Sequence, residues 1–177
     1  PTAPTCDLSA ISQPASSLLP PSDDMQLVMV ALGKGAQNYT CGANLTAPPS
    51  AIGAVAQLFD ASCAVANAPS AAAMALGTME ESAKSIGAHF FVDSTTPDFD
   101  IMGLGNTQAT KAQDCDAPSP AADIKWLRLA AKPAASSSSV TQIYRLNTVG
   151  GLAPAHCEGL SRGDVVAVEY QAQYWIY

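Results

Sequence analysis

Residues 164–177 show the feature that most restricts the fold of this chain, an alternation of apolar and polar side chains along one segment. Successive side chains of a β-strand point to opposite faces, so a period of two indicates a strand with one buried face. At about 3.3 Å per residue this strand spans roughly 40 Å, which suits the middle of a sheet or a bend between two sheets. The face predicted to be buried carries Val166, Val168, Tyr170, Ala172, Tyr174 and Ile176, and the other face carries Glu169, Gln171 and Gln173.

Shorter segments separated by turn-forming residues also indicate strands: residues 25–32, 36–41, 52–59, 88–92, 99–102, 107–113, 124–131 and 140–148. Gly33, Lys34 and Gly35 divide the first two segments and predict a tight turn. A helix is predicted at residues 70–85, where apolar side chains recur at steps of three and four. Because strands and helices do not alternate, the sequence predicts an all-β fold, an antiparallel β-sandwich or barrel of about nine strands with one short helix.

The chain divides into two parts by composition. Residues 1–24 are rich in proline, serine and threonine, and their prolines interrupt any regular element. We therefore expect an extended N-terminal arm at residues 1–24, tethered by Cys6, followed by a single β domain at residues 25–177. A chain of 177 residues is long enough to bury one substantial core.

Charge and composition exclude several classes of function. Charged residues make up 13% of the chain and the net charge is −7, so no basic surface for nucleic acid can be assembled. No apolar run reaches the roughly 20 residues of a membrane-spanning helix, so we expect a soluble chain with no membrane partner. The first residues look like those of a mature chain after removal of a secretion signal, and Asn38 and Asn44 begin N-glycosylation sequons. These features together predict a secreted, extracellular glycoprotein.

The five cysteines, at positions 6, 41, 63, 115 and 157, are widely spaced and form no C-x-x-C pair. This spacing disfavours a zinc ribbon or a thioredoxin-type site and favours disulfides, with at least one thiol left over unless it pairs between chains. We expect no cofactor and no bound metal.

His89 is the one imidazole with several carboxylates nearby in the sequence, those of Asp93, Asp98 and Asp100. Imidazole titrates near neutrality and a carboxylate can orient it, so this group is the candidate centre of a hydrolase or a metal-dependent enzyme. That alternative requires an imidazole that is partly exposed in a cleft. The competing interpretation makes His89 a hydrogen-bonded core residue and the aspartates turn formers.

Trp175 and Tyr177 share the polar face of the last predicted strand. Aromatic rings beside amides can form a platform on which a sugar stacks, so these two residues are candidates for ligand binding. The competing interpretation packs them beneath a loop or beneath the N-terminal arm.

Four blocks resemble a family whose members have no known function: residues 35–41, 126–129, 144–154 with Cys157, and 168–177. The family consists of secreted fungal proteins with shorter bacterial relatives, and some fungal members carry the label malate dehydrogenase. The resemblance brings no catalytic residues with it. The sequence does not support malate dehydrogenase activity, because it has no G-x-G-x-x-G, no βαβ order and no arginine and histidine arranged for a 2-hydroxy acid.

The resemblance also implies a disulfide pattern. Cysteines end the Gln-x-Tyr-x-Cys strand and follow the Gly-Gly-x-x-Pro turn in this family, which pairs Cys41 with Cys157. Cys6 would then pair with Cys63 and leave Cys115 as a free thiol. The alternative pattern pairs Cys41 with Cys63 and Cys115 with Cys157.

These inferences lead to one functional expectation and two alternatives. We expect a secreted, disulfide-stabilised, non-enzymatic protein that binds a carbohydrate or another cell-wall or cell-surface ligand. The first alternative is the enzyme centred on His89, and the second is a storage or structural surface protein without a small ligand.

Overall fold

Eight antiparallel strands form a closed barrel in the computed structural model, which describes residues 6–67 and 84–177. Each strand pairs with the next along the chain, and the last pairs with the first. The barrel confirms the predicted all-β antiparallel fold. Of the two predicted architectures, sandwich and barrel, the structure has the barrel. The strands are β1 (Met29–Thr40), β2 (Ser50–Asp60), β3 (Gly87–Asp93), β4 (Thr96–Ile101), β5 (Gly105–Cys115), β6 (Trp126–Ala131), β7 (Gln142–Gly150) and β8 (Val165–Ile176).

Strand β8 closes the barrel by pairing with β7 on one side and with β1 on the other. Its pairing with β1 runs from Met29 opposite Ile176 to Thr40 opposite Val165. The predicted inward face is observed in the second half of β8, where Tyr170, Ala172, Tyr174 and Ile176 belong to the interior core, whereas Val166 and Val168 are only partly buried. The last strand of the sequence is therefore the closing element of the architecture.

The helical part of the described chain is small. A short helix, α1 (Ser62–Asn67), follows β2, and a 3-10 turn, Pro133–Ala135, follows β6. The helix predicted at residues 70–85 falls largely on residues 68–83, which lie outside the described residues. Among the described residues, no helix is long and apolar enough to cross a membrane.

The turn predicted at Gly33, Lys34 and Gly35 is wrong, because these residues lie inside the continuous strand β1. A Cβ atom at Gly33 would lie 2.5 Å from a ring carbon of Tyr174, and one at Gly35 would lie 1.9 Å from the carbonyl oxygen of Val55. The two glycines therefore allow close packing inside the barrel and do not reverse the chain. Two predicted strands merge into β1, which gives eight strands in place of about nine.

The barrel wall separates two hydrophobic clusters. The interior cluster is formed by inward side chains from most of the strands, among them Leu58, Phe99, Ile143 and Tyr174. The outer cluster covers the outside of the wall, since its members alternate with inward residues along the same strands. It contains Val30 and Leu32 of β1 and, from β6, β7 and β8, Trp126, Tyr144, Leu146 and Trp175.

Residues 6–28, here called the arm, cover the outer cluster and contain neither helix nor strand. Leu18 is buried within the cluster. The backbone N–H of Leu19 donates to Gln113 Oε1 at 2.9 Å, and its carbonyl accepts from the Tyr144 hydroxyl at 2.8 Å. At the end of the arm the Val28 N–H donates to the Ile176 carbonyl at 2.8 Å.

Two disulfides hold the arm and the loops. Cys6 of the arm is bonded to Cys63 of α1, and Cys41 after β1 is bonded to Cys157 in the loop before β8. This is the pairing that the family resemblance implies, and Cys115 is a free thiol.

Candidate functional site

A groove of about 740 Å³, here called the arm groove, lies between residues 8–27 of the arm and Tyr177. Its walls combine apolar side chains such as Ile11 and Leu27 with hydroxyl and amide groups such as those of Ser12 and Gln13. Ligand sites of small molecules have volumes of roughly 300–1,000 Å³ and combine apolar walls with a few polar groups. The arm groove therefore has the size and lining of a small-ligand site.

Tyr177 is fixed at the floor of this groove by its backbone. Its N–H donates to the Gln142 carbonyl at 2.9 Å, and its own backbone oxygen accepts from the Thr141 N–H at 2.7 Å. Its ring contacts Tyr144 edge to face, with centroids 5.7 Å apart. Tyr177 as a whole is partly exposed, and its hydroxyl accepts from Gln13 Nε2 at 3.1 Å. Burial raises the pKa of the Tyr177 hydroxyl while the Gln13 bond opposes it, so the group stays neutral near neutral pH.

Trp175, the other candidate on this face, is only 2% exposed. It belongs to the outer cluster beneath the arm. Its Nε1–H donates to Gln173 Oε1 at 3.1 Å, and the same oxygen accepts from Asn147 Nδ2 at 2.8 Å. Of the two candidates, only Tyr177 is partly exposed and lines a groove.

His89 lies inside the barrel and is 3% exposed. One ring nitrogen, Nδ1, bonds the Asp98 carbonyl at 2.8 Å, and the ring stacks on Phe99 with centroids 4.1 Å apart. Burial is the main cause that lowers the pKa of His89 to about 4; the Asp98 bond opposes this, and the charge of Arg145 lowers the pKa further. The imidazole is therefore neutral near neutral pH, and this environment differs from the exposed cleft that the catalytic alternative requires.

The carboxylates that lie near His89 in the sequence do not contact its imidazole. Asp98 and Asp100 alternate with the inward residues Phe99 and Ile101, so their side chains point to the outside of the wall. Asp98 is 2% exposed and accepts from Asn106 Nδ2. Burial raises the pKa of Asp98, and bonds from neighbouring amides oppose this.

Asp93 is exposed at the β3–β4 turn, where it accepts from the backbone N–H of Thr95 at 2.9 Å. The described residues contain no group of three or more histidine, cysteine, aspartate or glutamate side chains that could hold a metal ion.

Two features of the site were missed by sequence reasoning. The first is the arm groove, since residues 8–27 carry no periodic pattern that could have revealed it. The second is Arg145, which lies opposite Tyr174 in the β7–β8 pairing and therefore on the inward face. Its Nη2 donates to the Lys125 carbonyl at 2.8 Å, and the neighbouring hydroxyls of Tyr170 and Tyr174 are 2.8 Å apart. Counting inward positions along β7 from Ile143 would have found it.

A second groove, of about 680 Å³, crosses the outside of the wall. A cross-strand row forms its centre: Ala88, Gln57, Lys34, Gln171 and Val149. The row offers amides, but the one aromatic residue that lines the groove, Tyr170, directs its buried ring into the barrel. The arm groove is therefore the better candidate.

Comparisons with known proteins identify one relationship. The model of a family described as "Protein of unknown function (DUF3455)" matches residues 21–177, a span that contains all eight strands. No curated protein and no solved structure matches the chain.

Proposed function

We propose that this chain, which belongs to the DUF3455 family of proteins of unknown function, is a secreted, extracellular protein that binds a neutral carbohydrate and does not transform it. The observation that carries the proposal is the position of Tyr177, a partly exposed residue on the floor of the arm groove whose hydroxyl accepts a hydrogen bond from the Gln13 amide.

The chemistry of the arm groove fits a sugar better than an ion or a purely apolar molecule. The apolar C–H face of a pyranose ring packs on an aromatic ring, while its hydroxyls need donors and acceptors at the ring edge. Tyr177 supplies the ring, and the Gln13 amide and several serine hydroxyls supply both donors and acceptors. The net charge of −7 disfavours anionic sugars.

The extracellular setting is supported by the two disulfides, which persist in oxidising compartments. The sequon at Asn44 also lies in an exposed loop. There Asn44 Oδ1 accepts from the N–H of Thr46 at 3.1 Å and from its hydroxyl at 2.8 Å, which leaves the amide nitrogen for a glycan. Asn38 is partly buried on the outer face of β1.

If both sequons are used in the secreting host, the intact mass exceeds the chain mass by two glycans, and Asn44→Gln removes one.

The absence of a reaction is part of the proposal. Its support is the separation of the imidazole of His89, inside the barrel, from the carboxylates of Asp98 and Asp100, outside it. General acid–base catalysis needs such groups within hydrogen-bonding reach of one another or of a shared substrate.

The test is calorimetric titration of the oxidised chain with a panel of neutral cell-wall oligosaccharides. We expect one class to bind, Tyr177→Ala to weaken that binding at least tenfold, and Gln13→Ala to weaken it less. Leu160→Ala is the matched control, because Leu160 is exposed in the β7–β8 loop and does not line the groove. Equal binding by wild type and Tyr177→Ala, or no binding across the panel, would contradict the proposal.

A further inference from the structure

We infer that the Cys6–Cys63 disulfide is an exchangeable lock on the first half of the arm, residues 6–17, and that opening it releases this segment and dismantles the arm groove. The release of the arm follows from the contacts described below. Its consequence for binding rests on the proposed function.

The two disulfides differ in access. Cys41 and Cys157 are 2% and 1% exposed, whereas Cys6 and Cys63 are both partly exposed. Thiol–disulfide exchange requires an attacking thiolate to reach one of the sulfur atoms, so its rate depends on access. A reductant in solution therefore reaches Cys6–Cys63 first.

The two disulfides also differ in what they hold. Cys41–Cys157 joins the end of β1 to the β7–β8 loop. Two backbone hydrogen bonds of 2.8 Å support this connection, from the Cys157 N–H to the Leu45 carbonyl and from the Gly163 N–H to the Cys41 carbonyl. Cys6–Cys63 joins the arm to α1, and no strand pairing supports the arm. Cleavage of Cys41–Cys157 should therefore loosen the barrel, whereas cleavage of Cys6–Cys63 should free only residues 6–17 of the arm.

Among the described residues, few other contacts hold the first half of the arm to the barrel. Ile11 packs against the edge of the outer cluster, and Gln13 bonds the Tyr177 hydroxyl. The firm attachments begin at Leu18 and Leu19. When Cys6 is released, the conformational entropy that residues 6–17 gain should outweigh these weak contacts. The same residues form one wall of the arm groove.

The outer cluster also buries a polar group without satisfying it. The Nε1–H of Trp126 is buried in the outer cluster and has no hydrogen-bond partner among the described residues. A buried donor without an acceptor destabilises the closed arrangement, and access of water would satisfy it. Burial of the outer cluster is therefore less favourable than its apolar area implies.

The exchange balances with a dithiol as the reductant. One dithiol thiolate attacks a sulfur of Cys6–Cys63, the S–S bond breaks, and a mixed disulfide and one protein thiolate form. The second dithiol group then displaces the remaining cysteine and takes the reductant to its cyclic disulfide. Two electrons pass to the protein, and each cysteine sulfur ends with one proton.

The experiment titrates the full, oxidised chain with a dithiol and follows three readouts. Alkylation and mass spectrometry identify which cysteines are reduced. Tryptophan emission reports the arm, because Trp126 and Trp175 both lie in the outer cluster. Titration with the oligosaccharide found for the wild type reports the groove. We expect Cys6 and Cys63 to be reduced first, the emission to shift to the red and sugar binding to weaken at least tenfold, with reoxidation restoring all three.

Variants separate the lock from general instability. Cys6→Ser with Cys63→Ser should reproduce the shifted emission and rapid proteolysis within residues 6–17, while Cys41→Ser with Cys157→Ser should keep the arm protected when it folds. Should either variant fail to fold, partial reduction of the wild type supplies the same comparison. Simultaneous reduction of both disulfides, or an unchanged emission after reduction of Cys6–Cys63, would overturn the inference.

The two proposals fail in different ways. If the oxidised chain binds no sugar, the proposed function is wrong, while emission and proteolysis still decide whether the lock exists. If the arm is released and sugar binding is unchanged, the lock exists but does not control the site.

Discussion

The interior cluster and the outer cluster lie on opposite sides of one layer of backbone, yet they are closed by different means. The interior is sealed by strands that pair around the full circumference of the barrel. The outer cluster is covered by α1, by Ala117 of the β5–β6 loop and by residues 6–28, which have no regular structure and are attached at separate points. The difference indicates that the barrel can persist while its outer face opens, and that a change in the outer cluster can alter the site without unfolding the protein.

The largest effect should come from a cavity in the interior. Phe99 is fully buried and contacts both His89 and Tyr174. Phe99→Ala should lower the free energy of unfolding by about 3–5 kcal/mol, because the lost apolar contacts leave a cavity that the closed wall cannot fill. Urea unfolding followed by circular dichroism measures this change. A loss below about 1 kcal/mol would mean that the interior is as adaptable as the outer cluster.

The next effect is a pH dependence of the free energy of unfolding, caused by the pKa of His89, which is lowered from 6.5 to about 4 in the folded chain. The unfolded chain binds the proton more tightly, so the free energy of unfolding is unaffected above pH 6.5, falls as the pH drops toward 4, and falls no further below it. A shift of this size corresponds to about 3 kcal/mol. Unfolding of wild type and His89→Gln at pH 7 and pH 4 isolates this contribution, since every other group titrates in both proteins. Parallel pH profiles would contradict a buried neutral imidazole.

A smaller effect is expected at the outer cluster, where the chain offers a matched pair. Leu18 is 6% exposed and its neighbour Leu19 is 57% exposed. Leu18→Ala should lower the free energy of unfolding by about 2 kcal/mol, near the lower limit for a buried leucine, because the arm can relax into the space. Leu19→Ala should change it by less than about 0.5 kcal/mol. Thermal unfolding of both variants, with proteolysis of the arm, makes the comparison, and equal effects would show that Leu18 is not an anchor.

The smallest effect concerns one hydrogen bond between the barrel and the arm. The Tyr144 hydroxyl donates to the Leu19 carbonyl and lies 2.9 Å from Gln142 Oε1. Tyr144→Phe keeps the ring in the outer cluster and removes the bond, so we expect a loss of about 1 kcal/mol that is confined to the arm. Hydrogen exchange should quicken at Leu19 and stay unchanged in β8. Faster exchange throughout the barrel would mean that the two clusters are coupled.

The sequence predicted the elements whose pattern depends on near neighbours. The inward face of β8 followed from its period of two, and the all-β class followed from the repetition of such segments. The sequence wrongly predicted two strands where β1 is continuous. Gly33 is needed there because the ring of Tyr174, from a strand at the other end of the chain, packs against it. Local signals cannot distinguish a glycine that turns the chain from one that admits a distant side chain.

The candidate site was less accessible to prediction for the same physical reason. Alternation placed Trp175 and Tyr177 on one face, but only the path of the arm decides that Trp175 is covered and Tyr177 lines a groove. His89, Asp98 and Asp100 are close in sequence, whereas the pleat of paired strands sends the imidazole inward and the carboxylates outward. Proximity along a chain carries little information about proximity of side chains in a barrel.

The order of strand pairing also has a consequence for how the protein reaches its native state. Every pairing but one joins consecutive strands, and the exception joins β1 to β8 and encloses nearly the whole chain. Contacts between distant parts of a chain have a high entropic cost and form slowly, so closure of this ring should limit the folding rate. Cys41–Cys157 links the end of β1 to the segment that leads into β8, and a chain that already carries this bond should search fewer conformations and refold faster than its reduced form.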